Sequence, residues 1–223
     1  NVSHELRTPL TVLRGYLESF DVDSDPAMWR QALPVMQQQT LRMHLMIKDL
    51  LALSQLETGD KPLHHVPTDV SRLLQSIVDD VKRLDSFQDH QITLNCRTDK
   101  WLLADVDELR SAISNLVFNA VKYTPAGTKI TINWTVDGQG SVIEVIDDGD
   151  GIASHHLERL TERFYRVDNG RDRESGGTGL GLAIVKHIVS RHKGRLEIQS
   201  ELGEGAAFRC IFPTEKAISA PDI

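Results

Sequence analysis

The chain has 223 residues, 40% of them hydrophobic and 26% charged, and carries a net charge of -7. That is apolar material enough for one large domain or two small ones. The negative balance argues against a general nucleic-acid binder, which needs Lys and Arg to neutralise phosphates, and fits an anionic membrane surface poorly.

No apolar run approaches the ~18 residues that suggest a membrane span. No signal peptide is present, and the chain opens on Asn1 with its first motif following at once. It therefore reads as a fragment whose only membrane link lies in an upstream region. Cys96 and Cys210 are far apart, lack a CxxC spacing, and are expected to be buried, reduced thiols.

In chain order, the first sixty residues predict a helical hairpin. Leu6, Leu10, Leu13, Leu17 and Phe20 recur four and three residues apart, the seam of a coiled coil or bundle. Residues 21–26 supply turn chemistry, with Asp25-Pro26 suited to opening a second helix. Met43, Met46, Leu50 and Leu53 form a second seam, which ends at Thr58-Gly59-Asp60. Two such helices bury both seams poorly by themselves, so a homodimeric four-helix bundle is expected. Packing of the seams against the rest of the chain is the alternative.

Residues 61–67 read as a linker. Beyond it the pattern predicts a helix over 70–84, a strand over 92–97 and a long helix over 106–122. Strands over 129–136 and 141–146 flank an Asp137-Gly138-Gln139-Gly140 turn. A helix over 178–192 and strands over 195–199 and 206–212 follow, and the tail from Thr214 is expected to fray. Helices and strands interleave without the rhythm of a parallel sheet, which predicts an α/β sandwich, a mixed sheet covered by helices on one face. The expected division is a dimerisation unit over 1–61 and a second domain over 67–214.

Three segments of that second domain carry chemistry. Gly177-Thr178-Gly179-Leu180-Gly181-Leu182 has neither dinucleotide-fingerprint nor P-loop spacing. It nevertheless opens a helix, where free backbone N–H groups suit phosphate. Asp147-Asp148-Gly149-Asp150-Gly151 follows a hydrophobic strand, so a carboxylate there can accept from an exocyclic amine while Gly149 and Gly151 let a flat base approach. Asn115, Asn119 and Lys122 share one helix face beside Glu108 and Arg110, a set suited to a hydrated Mg2+ and its phosphates. Singly, each has a bland reading: a flexible loop, an acidic turn, a polar helix face.

Together, their order and wording resemble the N, G1, F and G2 boxes of the histidine-kinase ATPase domain, a member of the GHKL ATP-binding family. Asn115 to Thr124 is similar to the N box, Asp147 to Gly151 to G1, Arg163-Phe164-Tyr165-Arg166 to F, and Gly177 to Leu182 to G2. The resemblance implies ATP and Mg2+ as cofactors: Asp147 on the adenine amine, Asn119 on the metal, and Lys122 and Arg166 near phosphates. Tyr123 would line the base pocket, and residues 169–177 would form an ATP lid.

Two departures bear on affinity. Asp148 and Asp150 stand where the family has Asn and Pro, and Ala206 follows Gly203-Glu204-Gly205 where the family often has Ser or Thr.

Ser3-His4-Glu5-Leu6-Arg7-Thr8-Pro9-Leu10 resembles the family's H box. Phosphoryl transfer to imidazole needs a neutral ring nitrogen with a free lone pair. Glu5 can take the proton on the other nitrogen, and His4 lies off the leucine seam, so it should face solvent. Thr8, one turn on, is implied to position a water that dephosphorylates a partner, and Pro9 is expected to bend the helix.

The expectation is therefore ATP-dependent phosphorylation of His4 and transfer to an aspartate of a response-regulator receiver domain docked near Leu13 to Ser19. Residues 161–168 and 109–124 are worded most like the phosphate-regulon sensors of the family, and the parent would be an inner-membrane sensor with this part in the cytoplasm. The alternative is a degenerate nucleotide-binding module acting mainly as a phosphatase or scaffold. A chaperone-type or DNA-repair-type ATPase leaves the His4 box unexplained. The adjacent pairs His64-His65 and His155-His156 are expected to bind no metal.

Overall fold

The computed structural model describes residues 2–20, 25–59, 62–83, 89–138, 140–167 and 177–221. The expected hairpin turn at 21–24, Gln139 of the strand turn, and nearly all of the expected lid fall outside them.

Helix α1 (Val2–Ser19) and helix α2 (Pro26–Thr58) form the N-terminal hairpin. Asp25 caps α2 by accepting from the Ala27 N–H at 2.8 Å, and Pro26 opens it, since its missing N–H is one that a first turn leaves unpaired anyway. Gly59 ends it at φ 67°, the left-handed conformation that glycine adopts without a Cβ clash. Phe20 stacks on Trp29 with ring centres 4.1 Å apart, which closes the turn end of the hairpin. Pro9 is buried within α1, which continues through it to Ser19.

The second domain begins with strand β1 (Val66–Thr68), followed by α3 (Val70–Lys82), β2 (Gln91–Cys96), β3 (Trp101–Ala104) and α4 (Val106–Tyr123). Strands β4 (Lys129–Asp137) and β5 (Gly140–Asp147), short α5 (Ser154–Leu157), α6 (Gly181–Arg191), β6 (Arg195–Glu201) and β7 (Gly205–Phe212) complete the main body. The main sheet runs β2-β4-β5-β7-β6, with β2 parallel to β4 and the other pairs antiparallel. It is the mixed sheet expected.

Cross-strand neighbours Ile132, Val145 and Phe208 form one buried row, and Trp134, Ile143 and Cys210 the next. Between them along β4, Thr131, Asn133 and Thr135 are half-exposed, the alternation that one-sided helical cover produces. Helices α3, α4 and α6 supply that cover through stripes such as Leu74/Ile77/Val81, Leu109/Ile113/Leu116 and Ile184/Ile188.

Three expectations change. Val66 and Pro67, placed in a linker, belong to a strand (Val66–Thr68) paired to β3, and Pro67 is tolerated there because β1 is an edge strand. The tail does not fray at Thr214: after a 3-10 turn (Thr214–Lys216), strand β8 (Ala217–Ile218) pairs with the other side of β3. Cys96 is exposed, not buried; Cys210 is buried, and burial pushes its thiol up to about 12. Both are free.

Helix α2 also packs on α6, so the two parts of the chain touch. Met46 and Leu53 of the second seam are fully buried in the same core as the sheet's helices. Leu10, Leu17, Leu41, Leu45, Ile47 and Leu51 remain exposed on the hairpin.

Candidate functional site

The site forms where the C-terminal half of α4, the end of β5 and the start of α6 converge. Asp105 caps α4 by accepting from the Glu108 N–H, and the buried stripe on the opposite side fixes the helix rotation. That rotation aims Asn115, Asn119 and Lys122 at the start of α6. A Cβ on Gly181 would lie 2.8 Å from Asn115 Oδ1 and 3.8 Å from Asn119 Nδ2. One on Gly177 would meet the Tyr123 hydroxyl at 2.0 Å, with Lys122 Nζ 3.5 Å away. Lys122 itself sits 5.4 Å over the Tyr123 ring. Asn115 Nδ2 donates to Ser111 O at 2.9 Å, leaving its carbonyl toward Gly181.

The acidic loop closes the other side. Asp147 ends β5 almost fully buried, and its Oδ1 accepts from the Gly149 N–H at 3.1 Å. A Cβ on Gly149 would reach Thr124 Cγ2 at 2.7 Å, so glycine lets this loop sit on the end of α4. Gly151, at φ 69°, has no room at all: its Cβ would fall 1.9 Å from Glu201 O.

Burial raises the Asp147 carboxyl above the usual carboxylate range, N–H donors from Gly149 and Ala206 pull it back, and Asp148 raises it further. The ionised carboxylate is the stronger acceptor, so a ligand amine held by Asp147 should bind more weakly as pH falls through that raised value. Calorimetric titration with adenosine, which has no phosphate of its own to titrate, should show affinity falling as the pH is lowered from neutral, at a higher pH than an unshifted carboxylate would give.

The added charge at 148 is partly accounted for. Asp148 Oδ1 accepts from the Lys129 N–H at 2.7 Å, so its carboxylate caps β4. Ala206 contributes no hydroxyl, and the nearby Ser200 hydroxyl is already engaged, donating to Gly205 O at 2.6 Å and accepting from the Ile152 N–H at 2.8 Å.

The F and G2 segments form one unit. Phe164 adopts a left-handed φ of 64°, rare for a bulky side chain, and its N–H donates to Gly179 O at 2.8 Å. A Cβ on Gly179 would lie 2.8 Å from the Phe164 backbone, so only glycine allows the approach. Arg166 Nη1 donates to Gly177 O at 3.0 Å, and Leu180 is wholly buried behind the loop. The four motifs expected in the second domain, the lid aside, are therefore drawn into this region.

Glu108 and Arg110 are not. Glu108 is buried against Arg191, with His192 beside it, and Arg110 bonds Asp80 and Ser76. Glu108 shares the Asn115 face but lies two turns earlier, against the far end of α6, and Arg110 lies on another face, turned to α3. Of the histidine pairs, His65 Nε2 lies 3.0 Å from Lys216 Nζ and His156 Nδ1 2.5 Å from the Tyr165 hydroxyl.

On α1, His4 is exposed, Glu5 is half-buried, and the Thr8 hydroxyl donates to the His4 carbonyl at 3.4 Å. Sequence reasoning missed Thr124, Thr178 and Asp49, which all meet the nucleotide motifs. Asp49 had no signal, since it looks like a polar position on a helix.

Residues 1–59 match the His Kinase A (phospho-acceptor) domain, and residues 104–216 match the histidine kinase-, DNA gyrase B-, and HSP90-like ATPase family. The chain belongs to the histidine kinase family. This kinase chain is 50% identical over 222 residues to the phosphate regulon sensor protein PhoR of Pseudomonas aeruginosa, covering 99% of this chain and 50% of that protein. It is 39% identical over 221 residues to PhoR of Haemophilus influenzae, covering 98% and 51%. It thus spans about half the length of these curated relatives.

Among solved structures, histidine kinase AdeS of Acinetobacter baumannii superposes with a TM-score of 0.72 at 26% identity, covering 95% of this chain and 98% of that one. Histidine kinase ThkA in complex with response regulator protein TrrA gives a TM-score of 0.76 at 19% identity, over 96% of this chain and 60% of that one, a likeness of fold.

Proposed function

We propose that this chain catalyses ATP-dependent phosphorylation of His4 and passes the phosphoryl group to an aspartate of a response-regulator receiver domain. One observation carries the reading: a glycine loop, two amides, a lysine and a buried carboxylate converge on one site, in a chain that also presents an exposed histidine at the start of a helical hairpin.

In this reading Asp147 accepts from the adenine amine, Gly149 and Gly151 admit the base, and Tyr123 lines its pocket. Gly177, Gly179, Leu180 and Gly181 shape a loop whose N–H groups face phosphate at the start of α6. Lys122 and Arg166 balance phosphate charge. Asn119, with Asn115 beside it, offers the amide oxygen suited to a Mg2+ that keeps most of its waters. When bound, that ion would offset phosphate charge.

Chemically, a His4 ring nitrogen attacks the γ-phosphorus. The N–P bond forms as the bond to the β-phosphate oxygen breaks, and ADP leaves with that electron pair. Glu5 takes the proton from the other ring nitrogen. Thr8, one turn further, is placed to orient a water for the reverse activity, loss of phosphate from the receiver.

The assignment divides the chain into a phosphotransfer unit over 1–61 and a catalytic unit over 67–214. Exposed Leu10, Leu17, Leu45 and Leu51 support a homodimer that covers them in a four-helix bundle. The receiver would dock near Leu13 to Ser19. Likeness to PhoR supports a phosphate-regulon role in a membrane-anchored parent; among the described residues no helix is long and apolar enough to cross a membrane.

Incubation with γ-labelled ATP tests the reading. The label should become base-stable and acid-labile on this chain, then move to a receiver domain added afterwards. ATP binding without any label would leave a nucleotide-binding module acting as a phosphatase or scaffold.

A further inference from the structure

The nucleotide loop is held by the other half of the chain. Asp49 of α2 accepts a hydrogen bond from the Thr178 hydroxyl at 2.8 Å, and Thr178 stands between Gly177 and Gly179. The same hydroxyl accepts from the Leu180 N–H at 3.3 Å, a turn bond just before α6. Lys122 lies near enough to favour the Asp49 carboxylate electrostatically. An anion from α2 therefore rests on the glycine loop beside the lysine, where the proposed function puts phosphate.

A second anchor lies two turns along α2. Glu57 Oε1 pairs with Arg163 Nη2, and His187 Nε2 lies 3.3 Å from the same oxygen. Arg163 precedes Phe164, whose N–H is bonded to Gly179 O, so both anchors grip one mechanical unit. Leu53, between the two carboxylates, is 1% exposed, and Met46, about one turn before Asp49, is fully buried. Apolar and charged contacts thus alternate along this face of α2.

We propose that Asp49 is a built-in competitor of ATP: its carboxylate engages the Thr178 hydroxyl within the glycine loop, and the docked α2 holds the catalytic domain in a state that ATP must open. This rests on the nucleotide reading of the site. Burial disfavours the Asp49 charge, which is only partly offset by Thr178, Lys48 and Lys122. A triphosphate brings more negative charge to the same loop than one carboxylate does.

Binding of ATP to the whole chain tests it, by calorimetry on the wild type, Asp49→Ala, Asp49→Asn and Glu57→Ala. Removing a hydrogen-bonded competing charge should tighten ATP binding about tenfold in Asp49→Ala. Asp49→Asn, which keeps an acceptor but no charge, should fall between it and the wild type, and Glu57→Ala should tighten binding by about threefold through the dock alone. X-ray scattering should show the wild type expanding when saturated with ATP and Asp49→Ala already expanded without it. Equal ATP affinities across all four chains overturn the competition and leave the nucleotide site standing. ATP binding to none of them overturns both.

Discussion

His4→Gln should bind ATP within about twofold of the wild type and acquire no label, a loss of at least ~10^3-fold in phosphorylation rate. The separation follows from geometry. His4 is exposed on α1, whereas the groups assigned to ATP lie on α4, the β5 loop and the start of α6. Glutamine preserves helix propensity and polarity but delocalises its amide nitrogen lone pair, so it offers no nucleophile. Glu5→Gln should cost less, about 100-fold, because it removes a proton acceptor and leaves the attacking atom in place. Phosphorimaging of the labelled chains beside calorimetric ATP titrations gives both numbers. Equal labelling of His4→Gln and wild type would move the acceptor elsewhere.

Asp147→Asn should show the opposite pattern, with ATP affinity falling about 100-fold and labelling falling with it. An amide in this position loses the charge-assisted acceptor and can present its own N–H groups to the adenine amine. Stability should not fall. The folded carboxyl titrates above its unfolded value because it is buried, so the stability it contributes is greatest below the unfolded value and is lost as pH rises through the folded one. At neutral pH the buried charge is a cost that asparagine lacks, while one amide oxygen still accepts from the Gly149 N–H. Urea unfolding at pH 7 should therefore place the variant at or above the wild type. A function maintained against stability is the usual sign of a binding carboxylate.

The two-domain order, the mixed sheet and the four nucleotide motifs were legible because each leaves a local pattern. Seam leucines repeat at helical spacing, Asp25-Pro26 and Gly59 mark ends, and glycines recur where backbone must approach backbone. Gly151 and Gly179 show why: each has φ 69°, and a Cβ on either would collide with a neighbouring strand or loop. The short strands β1, β3 and β8 were not legible, since two to four residues carry no period and gain their ladder only from one another. Glu108 and Arg110 misled for a similar reason. They lie on the helix that carries the site, but only packing shows that Glu108 neutralises Arg191 and Arg110 bonds Asp80.

The sequence by itself determined which residue types stand where the proposed chemistry needs them: an imidazole at His4, a carboxylate at Asp147 and glycines at 177, 179 and 181. Those are properties of residue types and short spacings, set before the chain folds. Only the tertiary structure decided what faces what. It seats Gly181 against Asn115, lays Asp148 on the Lys129 N–H, and brings Asp49, over a hundred residues away in the chain, onto Thr178. Contacts at such separations arise where two apolar surfaces, here the Met46/Leu53 face of α2 and α6, bury one another. Their polar partners are settled by what that burial leaves within reach.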